Sequence, residues 1–533
     1  MIEHEVIYMK KLFSVIVSAF MLFGVLSTSS CSMLKDKLVQ GTEEEEIVTL
    51  PEEDKSPVTI PDKGCEIKYP ERKPYEYEMD LTLDTEAKTI GGHVVIDFYN
   101  DSNDSWKELC LRDYPSLFDE ADVYAKQIKD GGGITEITNV KDSRGGNLEV
   151  EREKDDVSVV WLKLKKELEP GRRMKLSYDF VAKIPNNADR FGFSNDIYNV
   201  TTFYPILAEY VDGDWSHTGY ISTGECFYSE ISNYNVRLTV PEGYKVASTG
   251  ECKDTASKDG KLTYTFEAPY VRDFVFCASS TFPSEQRECD GVKVNVYYNL
   301  DNPPDKRMTA VLDIVFESAE NSFKAFGEAF GKYPYPELDI IITPMAAGGM
   351  EYPNLIIITD YVCHDYMSQY SQYDQLEVVV CHEIAHQWFM GIVGSNSGVE
   401  PWLDESLASY AELVFYEYLG GDKESKQLNG YGKAQHSIVK SWKDTDKLDV
   451  SYYDFKDDGA YAMMIYIEGK AAVYQMEEAV GREKFHGIIR GYVQRNAFKN
   501  ATTKDFLKAL FDCEGKDNAE LNELVEKIFK TKL

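Results

Sequence analysis

Two histidines four residues apart, His382 and His386, bracket Glu383, and Glu405 follows His386 after 18 intervening residues. This spacing constrains the chain more than any other feature. On an α-helix, positions i and i+4 share a face, so both imidazoles can reach one ion. Hydrolytic zinc sites take three protein ligands and keep a fourth position open, and Glu405 completes a His₂Glu set. Glu383 is rotated off the ligand face, where it can act on water as a general base. With 8 His and 91 acidic residues in 533, a His-acid-x-x-His match arises by composition about 0.02 times per chain.

Local patterning supports the reading. Residues 375–391 contain no Pro or internal Gly, which predicts a helix with Gly391 as its stop. A second helix is predicted from about Leu403 to Leu419, with Asp404 and Glu405 in its first turn and Gly420-Gly421 at its end. His364 reads as a loop histidine, and His93, His217, His436 and His486 have no partner spacing.

The net charge of −34 argues against nucleic-acid binding and leaves no basic patch for a membrane surface. The ten cysteines show no C-x-x-C spacing, so a cysteine zinc knuckle is not supported. Cys381 reads as a small buried hydrophobe.

At the start, Lys10-Lys11 precede an apolar run from Leu12 to Leu26, then Ser27-Thr28-Ser29-Ser30-Cys31. The run is short for a membrane span and resembles a bacterial lipoprotein signal peptide over 1–31, with Cys31 as the lipidated mature end. Thr28 departs from the aliphatic residue usual there, and Glu3 and Glu5 point to Met9 as an alternative start. An ordinary secretory signal is the other reading. Residues 32–65 are polar and acidic and read as a disordered tether.

From 66 to 285 apolar residues recur with period two, as in Tyr75, Tyr77, Met79, Leu81 and Leu83, with turns expected at Gly91-Gly92 and Asp259-Gly260. This predicts an N-terminal all-β domain of sandwich type. A helix is predicted over about 305–330, then short strands at Leu338–Thr343 and Leu355–Thr359 flanking Gly348-Gly349-Met350-Glu351-Tyr352. The glycines allow another chain to approach the backbone, so a peptide can add here as a strand beside Glu351. From about 404 to the end the pattern is mostly helical.

These residues resemble the M1 family of zinc aminopeptidases, the gluzincins. The resemblance covers roughly 70–533 and rests on His382-Glu383-x-x-His386 with Glu405, on Gly348-Gly349-Met350-Glu351 as a version of the family's G-x-M-E-N, and on Tyr466-Ile467-Glu468-Gly469 as its Y-x-x-G. It implies a multidomain fold, in which the β domain is followed by an α+β thermolysin-like zinc peptidase domain over 286–533, mostly helical at its C-terminal end. It implies one Zn²⁺ per chain held by His382, His386 and Glu405, with Glu383 activating water and Tyr466 steadying the oxyanion; Tyr461 is the neighbouring alternative. Glu351 would bind the α-amine of a peptide substrate, in a site with Gly348, Gly349, Met350 and Glu225, and Glu412 would stand behind the metal. Tyr352 replaces the pattern's Asn, and Asp404-Glu405-Ser406 replaces Asn-Glu-Gly. The chain stops at Leu533, which implies that the C-terminal helical domain of longer members is missing and the cleft is more open. The expected function is removal of N-terminal residues from peptides outside the cell membrane. An open-cleft endopeptidase and a non-catalytic peptide-binding surface lipoprotein are the alternatives.

Overall fold

The computed structural model describes residues 48, 54–119, 131–217, 219–221, 228–299, 306–367, 375–421, 439, 442–443 and 446–530. The signal-peptide and Cys31 expectations lie outside these residues. None of the described helices is long and apolar enough to cross a membrane.

The N-terminal half is a set of sheets. A seven-stranded sheet runs in the order Glu251–Lys258, Lys261–Val271, Ser232–Pro241, Tyr75–Asp84, Thr89–Tyr99, Arg173–Lys183 and Glu136–Lys141. Its central pair, Tyr75–Asp84 with Ser232–Pro241, is parallel. Tyr75, Tyr77, Met79, Leu81 and Leu83 all point into the core, as the alternation requires. Two four-stranded sheets, one holding Trp106–Arg112 and Val159–Leu168, the other Ile197–Val200 and Phe276–Ser279, and a small two-stranded one, Tyr210–Val211 with Asp214–Trp215, lie beside the seven-stranded sheet. Asp259 and Gly260 turn the chain with φ of 53° and 74°, the left-handed pair a tight hairpin needs.

Gly91 and Gly92 are not a turn. They lie inside the strand Thr89–Tyr99, where a Cβ on Gly92 would sit 2.1 Å from the Asp80 carbonyl oxygen. The two glycines serve close strand approach rather than reversal.

The second half is built on a five-stranded sheet in the order Ser284–Cys289, Val292–Tyr298, Glu337–Thr343, Leu355–Thr359 and Gly349–Met350. The expected boundary at 285 therefore falls inside a strand of this sheet. Helix α1 (Lys306–Phe330) makes the crossover between two parallel strands. Helices α2 (Asp360–Met367), α3 (Gln375–Ala385) and α4 (Glu405–Leu419) follow, then α5 (Asp458–Ala462), α6 (Gly469–Val480), α7 (Arg482–Asn496), α8 (Thr503–Glu514) and α9 (Ala519–Phe529). Trp388 anchors the end of α3: its ring packs on Phe326 and its Nε1 donates to the Gly331 carbonyl at 2.8 Å.

Residues 54–65, expected within a disordered tether, lie along α7 and α8. The Val58 amide donates to Asp512 at 2.8 Å and Arg490 Nε donates to the Pro61 carbonyl at 2.9 Å. Gly487 and Gly491 make the groove, since a Cβ there would come 2.7 Å from Ile60 Cγ2 and from the Thr59 carbonyl oxygen. Two missing side chains, one helical turn apart, outweigh the polar composition of the segment.

The halves are joined by buried Arg272. Its Nε donates to the carbonyls of Met390 and Gly391 at 2.7 and 3.2 Å, Nη1 donates to that of Ser229 at 3.0 Å and Nη2 to that of Lys499 at 2.7 Å. Beside it, Asp273 accepts from the Tyr204 hydroxyl at 2.6 Å and the Phe274 amide at 2.7 Å. Burial pushes the Asp273 carboxyl from its usual 3.8 to about 7, against the pull of those two bonds. The folded state thus holds a proton that the unfolded chain releases. This contribution is complete below about pH 4 and is lost as pH rises towards 7. Asp273→Asn, which keeps the accepting oxygen, should flatten the decline in melting temperature from pH 5 to 8 in scanning calorimetry; an unaltered slope would contradict the assignment.

Candidate metal centre and active site

Helix α3 ends sooner than its composition predicts, at Ala385 rather than near Gly391. His386 still lies in its last turn, with its amide donating to the His382 carbonyl at 3.3 Å. The chain then leaves the helical path, and Met390 takes a φ of 117°. The carbonyls freed by that departure are the ones Arg272 binds. The i, i+4 relation between the histidines survives. A 3₁₀ turn, Pro401–Leu403, delivers α4 so that Glu405, its first residue, faces both rings.

The three donors form a nearly equilateral face. His382 Nε2 stands 3.1 Å from His386 Nε2, and each is 3.3 Å from Glu405 Oε2. Donors around tetrahedral zinc, with bonds of about 2.0–2.1 Å, stand roughly 3.3–3.4 Å apart. The remaining ring nitrogens are oriented from behind. His382 Nδ1 is 2.9 Å from Glu412 Oε1, and His386 Nδ1 is 2.6 Å from Asp404 Oδ1. These carboxylates fix the ring nitrogens that face the centre as lone-pair donors. Glu412 is tied in turn to Lys470, and Asp404 accepts from Ser397 at 2.8 Å.

The electrostatics favour positive charge at this point. Burial opposes protonation of His382, but its bonds to Glu405 and Glu412 prevail and raise it to about 9. His386 is raised well above its usual range, where Glu351, Asp404 and Glu405 outweigh burial. Glu405 is driven down against burial by the two imidazoles. A pocket that stabilises positive charge between two rings and a carboxylate matches what a divalent cation requires, so the residues present fit zinc.

Four further groups surround the triad. Glu383 is buried, its Oε2 has no hydrogen-bond partner among the described residues, and burial pushes its carboxyl up to about 7. Its carboxylate rests against Gly349, where a Cβ would come 2.0 Å from Oε1. Glu351 places a carboxylate oxygen within 4.8 Å of both a His386 ring nitrogen and an Asp404 oxygen. Tyr466 lies in a π-helical turn, Met463–Glu468, and donates its hydroxyl to Glu405 Oε1 at 2.5 Å. Tyr461 packs its ring on Tyr452, Phe455 and Tyr466, supporting Tyr466 from behind. The Gly348 carbonyl accepts from the Thr359 amide, which holds the turn into the edge strand Gly349–Met350. Glu225 lies outside the described residues.

Asp404 and Lys470 were not singled out by their spacing. Asp404 occupies the N-cap of α4, yet its side chain makes no capping bond and serves His386 instead. Its adjacency to Glu405 was the available signal. Lys470 is 58 residues from Glu412 and carried none. A second close group, Glu417, Glu477 and His486, is engaged by other side chains: Arg482 reaches both carboxylates at 2.5 and 3.3 Å, and Tyr410 donates to Glu477 at 2.5 Å. His93 pairs with Asp179 on the surface, and His217 faces the Trp215 carbonyl. The side chain of His364 and all of His436 lie outside the described residues. Cys381 is fully buried, and among the described cysteines none is disulfide-bonded.

The chain thus places a β domain ahead of a sheet-and-helix domain that carries a His-His-Glu face. Residues 314–530 match the family described as the Peptidase family M1 domain. It is 25% identical over 471 residues to aminopeptidase A of Gloydius brevicauda, covering 84% of this chain and 45% of that protein. It is 29% identical over 221 residues to aminopeptidase N of Streptomyces lividans, covering 38% and 25%. The chain thus spans less than half the length of these relatives. In fold it is similar to a mutant M1 zinc metallopeptidase from Deinococcus radiodurans, with a TM-score of 0.59 at 16% identity over 88% of this chain and 98% of that one.

Because Asp404 and Glu412 orient the two rings, Asp404→Asn and Glu412→Gln should each weaken zinc binding about 10- to 100-fold. Competition against a chromophoric chelator reads this directly, and wild-type affinity in both variants would contradict it.

Proposed function

We propose that this chain is a zinc aminopeptidase that removes N-terminal residues from peptides on the outer side of the cell membrane. The observation that carries the reading is the placement of Glu351. A fourth buried carboxylate stands beside the three-donor face, directly after an edge strand that a peptide can extend. A carboxylate there pairs with an α-ammonium and fixes the first peptide bond over the centre. The Deinococcus radiodurans M1 zinc metallopeptidase has been solved as a mutant with a Tyr-Ser-Ala substrate, which supports peptides as the substrate class.

His382, His386 and Glu405 would hold the ion, which supplies Lewis-acid activation of water and of the scissile carbonyl when bound. Glu383 takes a proton from the attacking water at its unpartnered Oε2 and returns it to the leaving amine. Burial, reinforced by Glu405, keeps the Tyr466 phenol protonated. Its O–H, given to Glu405 Oε1 in the free protein, turns to the oxyanion that develops at the substrate carbonyl. The basic, apolar and small-residue leader ending at Cys31 supports export and lipid anchoring.

The test is a panel of aminoacyl fluorogenic amides, each free and N-acetylated, with and without chelator. Free amines should be cleaved in a chelator-sensitive way and acetylated ones poorly. Equal cleavage of both would favour the open-cleft endopeptidase, and no cleavage the binding protein. Glu383→Gln should lower kcat by at least about 10²-fold while zinc content is retained. Tyr466→Phe should lower it by about 10²–10³-fold.

A further inference from the structure

We propose that Arg190, Thr201 and Tyr352 form a clamp by which the β domain aims the Glu351 carboxylate, making them positioning residues for recognition of the substrate's free amine. The inference rests on the reading of Glu351 above and assigns it a support from the β domain.

Glu351 needs such a support. It follows a two-residue edge strand, Gly349–Met350, that pairs on one side with Leu355–Thr359. Gly348 and Gly349 precede it, and neither carries a side chain that packing could grip. The direction of a carboxylate on such a segment depends in part on what grips its neighbours.

Both neighbours are gripped from one residue. Arg190, buried just before the strand Phe191–Ser194, brings Nη1 to 3.8 Å from the Met350 sulfur. Its Nη2 donates to the Ile221 carbonyl at 3.1 Å, and its guanidinium lies 5.4 Å from the Tyr220 ring centre. Its carbonyl accepts from Thr201 Oγ1 at 2.9 Å, and Thr201 Oγ1 accepts from the Tyr352 hydroxyl at 2.8 Å. Arg190 thus reaches the residue before Glu351 with its side chain and the residue after it through Thr201.

The opposite side is held by the metal-site helix turn. Gln387, next to His386, donates from Nε2 to the Tyr352 carbonyl at 3.0 Å and accepts from the Asn354 amide at 2.9 Å. The segment 350–354 is therefore fixed between the His386 turn and the β domain. Tyr352 is the residue where the sequence departs from the M1 pattern's Asn. A phenol reaches across the boundary between the two domains to Thr201, and the shorter amide of Asn does not have that length.

The experiment compares the full-length zinc-loaded protein with Tyr352→Phe, Thr201→Val, Arg190→Lys and the Tyr352→Phe/Thr201→Val double variant. Two quantities are read: kcat and KM for one aminoacyl amide, free and N-acetylated, and calorimetric binding of a free amino-acid amide to chelator-treated protein. Each single variant should raise KM for the free amine about three- to tenfold, the scale of one lost hydrogen bond. The effect on kcat should be smaller, binding of the free amide should weaken by a similar factor, and the preference for free over acetylated substrate should shrink. The double variant should be no worse than Thr201→Val alone, because that change already removes the Tyr352 bond along with the one to the Arg190 carbonyl. An unchanged free-to-acetylated ratio overturns the clamp, and so does equal loss on both substrates with a lowered melting temperature. Glu351→Gln is the control. If it leaves the wild-type ratio intact, the reading of Glu351 fails and the clamp's role falls with it; if it abolishes the ratio while the clamp variants do not, the clamp alone is wrong.

Discussion

Two imidazoles aimed at one point by carboxylates behind them are what the rest of the molecule serves. An imidazole is symmetric enough to rotate or change tautomer, and either change would remove a lone pair from the centre. The bonds from His382 to Glu412 and from His386 to Asp404 forbid both. Each carboxylate is itself held, by Lys470 and by Ser397. Burying so many charges is costly unless they are paired. The ordered layers around α3 and α4 are the structural answer, since rigid packing keeps each pair at bonding distance.

The zinc domain does not build this geometry alone. Arg272 of the β domain binds the carbonyls of Met390 and Gly391, where the chain turns out of α3 just after His386. The positive φ of Met390 is a conformation that a side chain disfavours. A guanidinium on its carbonyl is a direct way to hold it. The β domain therefore acts as part of the site's frame as well as a neighbour to it.

Much of this was legible in the residues, and the reasons are physical. His382, His386 and Glu405 are close in sequence and lie on helices, whose period places side chains predictably. The strands from Tyr75 and Ser232 showed their alternation because one face is buried. What stayed hidden depends on contacts between distant segments. Lys470 meets Glu412 across 58 residues. The seating of residues 54–65 depends on two glycines in α7, more than 400 positions away. The end of α3 was misplaced because nothing in the local composition breaks the helix at Ala385; the turn that follows it is held by an arginine from another domain. Gly91 and Gly92 look like a turn in isolation and prove to be a place where backbones touch.

The wide turn that carries Tyr466 has a consequence for how this chain tolerates length changes. A π-helical turn holds one residue more than the α-helical turn it replaces. Removing one residue of Met463–Glu468 other than Tyr466 would let the stretch relax into ordinary helix. Each residue of an α-helix accounts for about 100° of rotation and 1.5 Å of rise. The phenol would swing away from Glu405 although every residue that touches the metal stayed in place, so inactivation by such a deletion would be a matter of angle rather than of chemistry.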